Sequence, residues 1–469
     1  MKRCTKIVCT LGPAVDSRRK IAALIRAGMN VARINCSHGN WDQRRRWVGW
    51  IRELSPDIAP IAILVDLQGP KFRIGAIRDG EMAVKSGQSL TVGLGDAAIP
   101  IVQPEILDKM APGDRLLLGD GEVELRLQRG GQGRFDARVA SGGTIKSRRG
   151  VTLVGKVFSV PPLTSKDLED IREGCGCGAD FIALSYVHSG DDMRLLRKEV
   201  DRYDPEIRLC AKIETRAALQ HLDAILDASD LVMVARGDLG LQMDLEDVPL
   251  AQKQIIEQST RAGRPVITAT QMLESMVHAA RPTRAEATDV ANAVLDGTDA
   301  LMLSGETATG EYPLEAVRVM ARIAKKTEGT CKTRMFHAGW YDPKEKAAST
   351  DAIARAVREL AVTLKPRAIL TTTTSGQTAR LVSRFRPPVP ILCATWNAKT
   401  LTQMAVVWGV EALGVPLPQS TDEIIEKSID AFVLRRRLKY GDLVVITAGV
   451  PAGIPGHTNL ILTQVVQEP

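Results

Sequence analysis

Aromatic side chains make up only 4% of this chain, which leaves little material for stacking nucleic-acid bases. Long apolar runs are missing too, and nothing approaches the roughly 20 residues that a membrane-spanning helix needs. The opening residues, Met1 to Val8, hold too short an apolar run for a secretory signal. The six histidines show no ligand spacing. Among the eight cysteines, the pair Cys175 and Cys177 has no partner pair at zinc distance. Cys9, Cys36, Cys210 and Cys393 lie inside apolar segments, as core thiols do. No GxxxxGK[ST] string occurs, which excludes a P-loop nucleotide site. These absences predict a cytoplasmic protein with no disulfides, no histidine–metal centre, no nucleic-acid partner and no membrane partner.

What is present is ordinary for a globular protein: 469 residues, 44% hydrophobic and 25% charged, enough for two to four domains. The net charge of +7 is scattered, apart from triplets such as Arg44-Arg45-Arg46 and Arg435-Arg436-Arg437. A diffuse basic balance fits small anionic ligands.

Short apolar runs alternate with amphipathic segments. The runs are Lys6–Leu11, Asn30–Asn35, Ile61–Leu67, Phe181–Leu184, Leu209–Ile213, Leu231–Ala235, Pro265–Thr268 and Ala300–Leu303. Helical patterns at Arg18–Ala27, Gln43–Leu54, Asp192–Tyr203 and Leu250–Ala262 fall between them. Such alternation predicts an α/β fold, a (β/α)8 TIM barrel with its active site at the C-terminal strand ends. The alternation breaks after the third run, where glycine-rich turns and period-two segments, Glu122–Leu127 and Phe135–Val139, predict an inserted all-β lid domain. A third unit follows, with strands at Ile369–Thr373 and Leu443–Thr447 and helices at Thr350–Leu364 and Thr378–Phe385, predicting a C-terminal α/β domain. The expected boundaries are 1–73 and 160–328 for the barrel, 74–159 for a β-barrel lid and 329–469 for the C-terminal domain.

Residues two apart on a strand face the same way, so Lys212 and Glu214 should emerge together, with Asp238 and Gly237 from a neighbouring strand. One ammonium, two carboxylates and exposed backbone N–H groups suit a divalent metal and a phosphorylated acid.

Longer strings share one direction. They are Thr5 to Ala14, Asn30 to Gly39, Asp66-Leu67-Gln68-Gly69-Pro70-Lys71, Lys212-Ile213-Glu214, Met233 to Gly240, Ala269 to Met276, Arg281 to Glu286 and Met302 to Thr307. In order and wording they closely resemble the pyruvate kinase family, over essentially the whole chain, with the weakest wording in the inserted domain. The resemblance implies a barrel, a β lid and a regulatory domain, and phosphoryl transfer between phosphoenolpyruvate and ADP giving pyruvate and ATP, the last step of glycolysis. It implies that Glu214 and Asp238 hold Mg2+ or Mn2+. Lys212 would stabilise the transferring phosphoryl group and the enolate, and Arg33 would grip the phosphate. Gly237 and Thr270 match positions beside the substrate carboxylate. Ser304 and Glu306 match residues near the face where the enolate is protonated. Asn35, Cys36, Ser37, His38, Arg73 and Arg149 match nucleotide-contacting positions, His38 as a nucleotide-side residue rather than a general base.

The family's monovalent-cation ligands match Asn35, Ser37, Asp66 and the Leu67 carbonyl. Potassium-requiring members usually continue the aspartate with Thr-Lys-Gly-Pro-Glu, where this chain has Leu67-Gln68-Gly69-Pro70-Lys71. A tethered ammonium at Lys71 is therefore expected to replace potassium. Thr371 to Thr378, with Thr374, Ser375 and Thr378 nearest, resembles an effector-phosphate loop for a sugar phosphate or AMP, and Gly449–Asn459 a second one. A homotetramer is implied by the resemblance alone. Two other readings stay open: a metal-dependent pyruvate or phosphoenolpyruvate lyase or aldolase, and a catalytically silent phosphate-binding regulator.

Overall fold

The computed structural model describes residues 3–131, 133–156, 158, 160–330, 349–417, 420–449 and 458–468. Eight parallel strands close into a barrel: Lys6–Thr10, Val31–Asn35, Ala62–Asp66, Phe181–Leu184, Arg208–Ile213, Leu231–Ala235, Val266–Ala269 and Ala300–Leu303. The first strand pairs with both the second and the eighth, which closes the ring. Nearly every strand residue is buried, as expected when one face fills the barrel and the other lies under helices. The helix Arg18–Ala27 shows how local sequence sets an element. The Ser17 side chain accepts from Lys20 N, Ile21, Leu24 and Ile25 face inward, and Gly28 at φ +125° ends it.

The inserted segment is sheet-rich as expected, with one helical turn at Pro104–Leu107. Its strands divide into a six-stranded and a two-stranded sheet rather than one closed barrel. The hairpin Val123–Gly131/Arg134–Ser141 carries two register shifts that bend it.

The C-terminal domain is a five-stranded sheet, four strands parallel and the edge strand Leu460–Val465 antiparallel. Ile391–Thr395 and Val410–Gly414 are strands that the sequence pattern did not isolate. This domain covers the N-terminal end of the barrel. Barrel-lumen residues Val8, Val31, Phe181, Met233 and Met302 belong to one apolar cluster with Ile369, Ile391, Met404 and Val445. An ion pair locks the junction. Arg386 reaches Asp299 by two contacts, Nη1–Oδ1 at 3.0 Å and Nη2–Oδ2 at 3.1 Å, and stacks over Trp408 at 5.0 Å. Both partners are buried.

Removing one partner of such a pair leaves an uncompensated buried charge. Asp299→Ala should therefore cost about 3–5 kcal/mol, read as a lower urea midpoint at unchanged slope. A midpoint within error of wild type would show that the pair does not hold the junction.

Candidate active site

The residues expected at the strand ends converge on one mouth. Lys212, near the end of its strand, donates from Nζ to Ser185 Oγ at 2.7 Å and lies 2.9 Å from Glu214 Oε1 and 3.3 Å from Asp66 Oδ1. Arg33 donates from Nε to Asp66 Oδ2 at 2.6 Å and from Nη1 to Thr10 Oγ1 at 2.9 Å. Asp66, matched by resemblance to a monovalent-cation ligand, is thus clamped between the two cations. Burial opposes the charges of Lys212, Asp66 and Glu214. For Lys212 the carboxylates of Asp66, Glu214 and Asp238 outweigh burial and hold the ammonium well above the usual lysine range. For Asp66, Lys212 and Arg33 outweigh burial and hold the carboxyl below its ordinary value. Glu214 is the exception: burial, reinforced by Asp238, pushes it up despite Lys212.

Three carboxylates therefore share two cations, one negative charge in excess. Glu214 Oε1 and Asp66 Oδ1 are buried and accept no hydrogen bond, although the Lys212 ammonium is near both. Among the described residues no cluster of three or more His, Cys, Asp or Glu could enclose a metal. Two carboxylates with hard oxygen donors and a surplus negative charge nonetheless fit a divalent cation of the kind that completes its shell with substrate and water oxygens.

Gly237 and Asp238 open the helix Arg236–Gln242 after the sixth strand. The Gly237 N–H donates to Thr270 Oγ1 at 2.9 Å, and a Cβ there would meet that atom at an ordinary 3.6 Å. The surrounding chain therefore leaves room for a side chain at Gly237. Thr270 and Gln271 stand at φ +67° and +54°, a left-handed turn unusual for a β-branched residue. Arg236 holds that turn: its Nη2 donates to Thr270 O at 2.7 Å while Nη1 reaches Asp289 at 2.7 Å. Ser304 follows the eighth strand with its Oγ buried and unpartnered. Its N–H donates to Glu306 Oε2, whose other oxygen accepts from Leu273 N. Burial raises the Glu306 carboxyl.

Beside this mouth runs a cleft of about 760 Å³, open to solvent between lid and barrel, lined by Lys71, Phe72, Gly150, Phe158, Tyr186, His188, Arg216 and Asp238 among others. The lid leans on the barrel through Arg115 and Asp244, 3.2 Å apart. Other expected residues stand apart from the cleft wall. Arg73 donates to Arg148 O, and Arg149 pairs with Glu122 at 3.4 Å. Asn35 Oδ1 accepts from Ser37 N, His38 is exposed, and the Cys36 side chain lies in the barrel core, its thiol raised by burial. In the C-terminal domain Thr374 O accepts from Thr400, Ser375 O accepts from Arg208 and Arg380, and Thr378 Oγ1 meets Thr458 Oγ1 at 2.8 Å. Most of Gly449–Asn459 lies outside the described residues.

Comparison with known proteins agrees with this geometry. A family model described as pyruvate kinase, barrel domain, matches residues 2–317, and one described as pyruvate kinase, alpha/beta domain, matches 351–463. The chain belongs to the pyruvate kinase family. It is 42% identical to the pyruvate kinase of Geobacillus stearothermophilus, over 100% of this chain and 81% of that one. It is 41% identical to that of Mycobacterium tuberculosis, over 98% of each. Pyruvate kinase 2 of Synechocystis is 40% identical over 100% of this chain and 80% of its own. No helix among the described residues is long and apolar enough to cross a membrane.

Sequence reasoning missed Ser185, Tyr186 and Arg236 as site residues. Only Arg236 carried a signal, its place inside the string from Met233 to Gly240.

Proposed function

We propose that this pyruvate kinase family member transfers the phosphoryl group of phosphoenolpyruvate to ADP, releasing pyruvate and ATP, with Mg2+ or Mn2+ held by Glu214 and Asp238. The observation that carries the reading is the buried network of Arg33, Asp66, Lys212 and Glu214 at the barrel mouth. When bound, the divalent cation would neutralise phosphate charge and polarise the enolate oxygen.

The chain's own residues supply position and charge. Arg33, anchored through Nε and Nη1, keeps Nη2 for a phosphate oxygen. Lys212 stays an ammonium and does not act as a base; its charge is fixed where negative charge builds on the transferring group. As the bond from phosphorus to the enolate oxygen breaks, one forms to the terminal oxygen of ADP. The enolate left behind takes a proton at its methylene carbon, and Ser304, with its free buried hydroxyl, is suited to relay it. Thr270 and Gly237 orient the substrate carboxylate. Asn35, Cys36, Ser37, His38, Arg73 and Arg149 remain proposed nucleotide contacts, of which Arg73 and Arg149, at the lid, are the ones that lid closure would carry toward the cleft.

Lys212→Ala should fold and bind metal yet lose at least about 10²-fold in turnover in a coupled assay for pyruvate. Turnover within threefold of wild type would remove Lys212 from the mechanism. Running the same assay without ADP separates a kinase, which stays silent, from a lyase, which would still make pyruvate.

Lys71 is proposed to stand in for potassium at the site of Asn35, Ser37, Asp66 and Leu67. Its side chain lines the cleft beside Gly150 and makes no ion pair with the described residues. Full turnover is expected in a buffer whose only monovalent cation is a bulky organic ammonium, with Lys71→Glu becoming potassium-dependent. A tenfold or greater rise when potassium is given to wild type would refute this.

We further propose that a sugar phosphate or AMP binds near Thr374, Ser375 and Thr378, and that the enzyme works as a homotetramer. Helix N-terminus and hydroxyls at one loop support the first part. Calorimetric titration should give a binding isotherm with at least one member of such a panel; silence across all of it counts against the site.

A further inference from the structure

One residue reaches both carboxylates proposed to hold the cation, and no role has yet been given to it. Tyr186 follows the strand Phe181–Leu184 with φ +55°, a left-handed conformation that bulky side chains seldom adopt. From that turn its backbone N–H donates to Glu214 Oε2 at 2.7 Å. Its hydroxyl, at the far end of the ring, donates to Asp238 Oδ1 at 3.2 Å. The two carboxylates come from different loops, after the fifth strand and after the sixth, and Tyr186 spans them from a third.

The ring has a built seat. Gly69, at φ +67°, lies against it, and a Cβ on Gly69 would meet ring Cδ2 at 3.4 Å and Ser185 Cβ at 3.0 Å. Ser185, one residue earlier, is itself fixed, donating to Leu67 O at 2.7 Å and accepting from Lys212 Nζ at 2.7 Å. A phenol held this firmly gives its carboxylate partner one orientation, where an aspartate side chain alone has a broad, two-fold rotation. The contact to Glu214 occupies Oε2 and leaves Oε1 buried without a hydrogen bond, with the Lys212 ammonium 2.9 Å away.

We propose that Tyr186 is a positioning residue that presents Glu214 and Asp238 to the divalent cation, through its N–H and its hydroxyl respectively, and so sets the affinity of the site for that ion. The inference rests on the metal assignment above and deepens it. Partners that orient metal-binding side chains typically change affinity 10- to 100-fold when removed.

The test is binding of Mn2+ alone to the full chain, followed by the paramagnetic resonance signal of the free ion. Four proteins are compared: wild type, Tyr186→Phe, Tyr186→Asn and Glu214→Gln. Tyr186→Phe keeps the ring on Gly69 and loses only the oxygen. Tyr186→Asn keeps a residue that tolerates the left-handed turn but cannot reach Asp238. Both should bind Mn2+ about tenfold more weakly. The Mn2+ concentration giving half-maximal rate should rise by the same factor, so the deficit shrinks as metal is added, which a merely structural defect would not do. If both Tyr186 variants bind within twofold of wild type while Glu214→Gln has lost binding, the metal assignment stands and this inference falls. If Glu214→Gln also binds like wild type, the metal assignment falls and takes the inference with it.

Discussion

Two buried carboxylates paired with two buried cations, with a third, half-buried carboxylate beside them, is an arrangement that does not stabilise a protein by itself. At the effective dielectric that suits buried pairs, two unit charges about 3 Å apart attract by about 5–6 kcal/mol. Taking each ion out of water costs several kcal/mol, so the network comes out near balance. Its value lies in pre-organisation. Lys212 is already charged, already desolvated and already aimed, so no solvent has to reorganise as the phosphoryl group moves. The surrounding fold follows from that demand. The ends of the second, third and fifth strands deliver Arg33, Asp66, Lys212 and Glu214 within one rigid ring, and Ser185 and Thr10 accept one further bond each from Lys212 and Arg33.

Around the network, backbone strain recurs where geometry matters. Tyr186, Thr270 and Gln271 all have positive φ at strand ends, and Tyr186 and Thr270 are each tied down by a specific bond. Arg236 holds the Thr270 turn and Glu214 accepts from Tyr186 N. Such conformations cost of order 1–3 kcal/mol each and persist only when the surroundings over-determine them.

The barrel was legible because buried parallel strands read as unbroken apolar runs, and period two then places Lys212 and Glu214 on one side. All eight expected runs begin and end within one residue of the strands, and the helix Arg18–Ala27 coincides with its pattern. Less legible were elements whose shape depends on neighbours. Ile391–Thr395 sits directly after Pro387-Pro388-Val389-Pro390, which masks it as a loop, and the lid sheets follow bulges that no alternation announces. At the site, chemistry carried by charged residues could be read, and positioning could not. Tyr186 looks like one more half-buried aromatic until its left-handed turn shows that both ends donate. Arg73 and Arg149 show the reverse, being matched by wording but turned to lid partners.

The apolar cluster that joins the barrel lumen to Ile369, Ile391 and Val445 also constrains how the chain comes into being. A ribosome releases the eighth strand, ending at Leu303, well before any of those residues. At ordinary synthesis rates the wait is on the order of ten seconds. During that interval the ring can close at its sides but has no floor, and Val8, Val31 and Met302 face water at one end. Its exposed lumen is the kind of surface that chaperones bind, so the last third of the chain acts as the lid of its own nascent barrel, at the end opposite the chemistry.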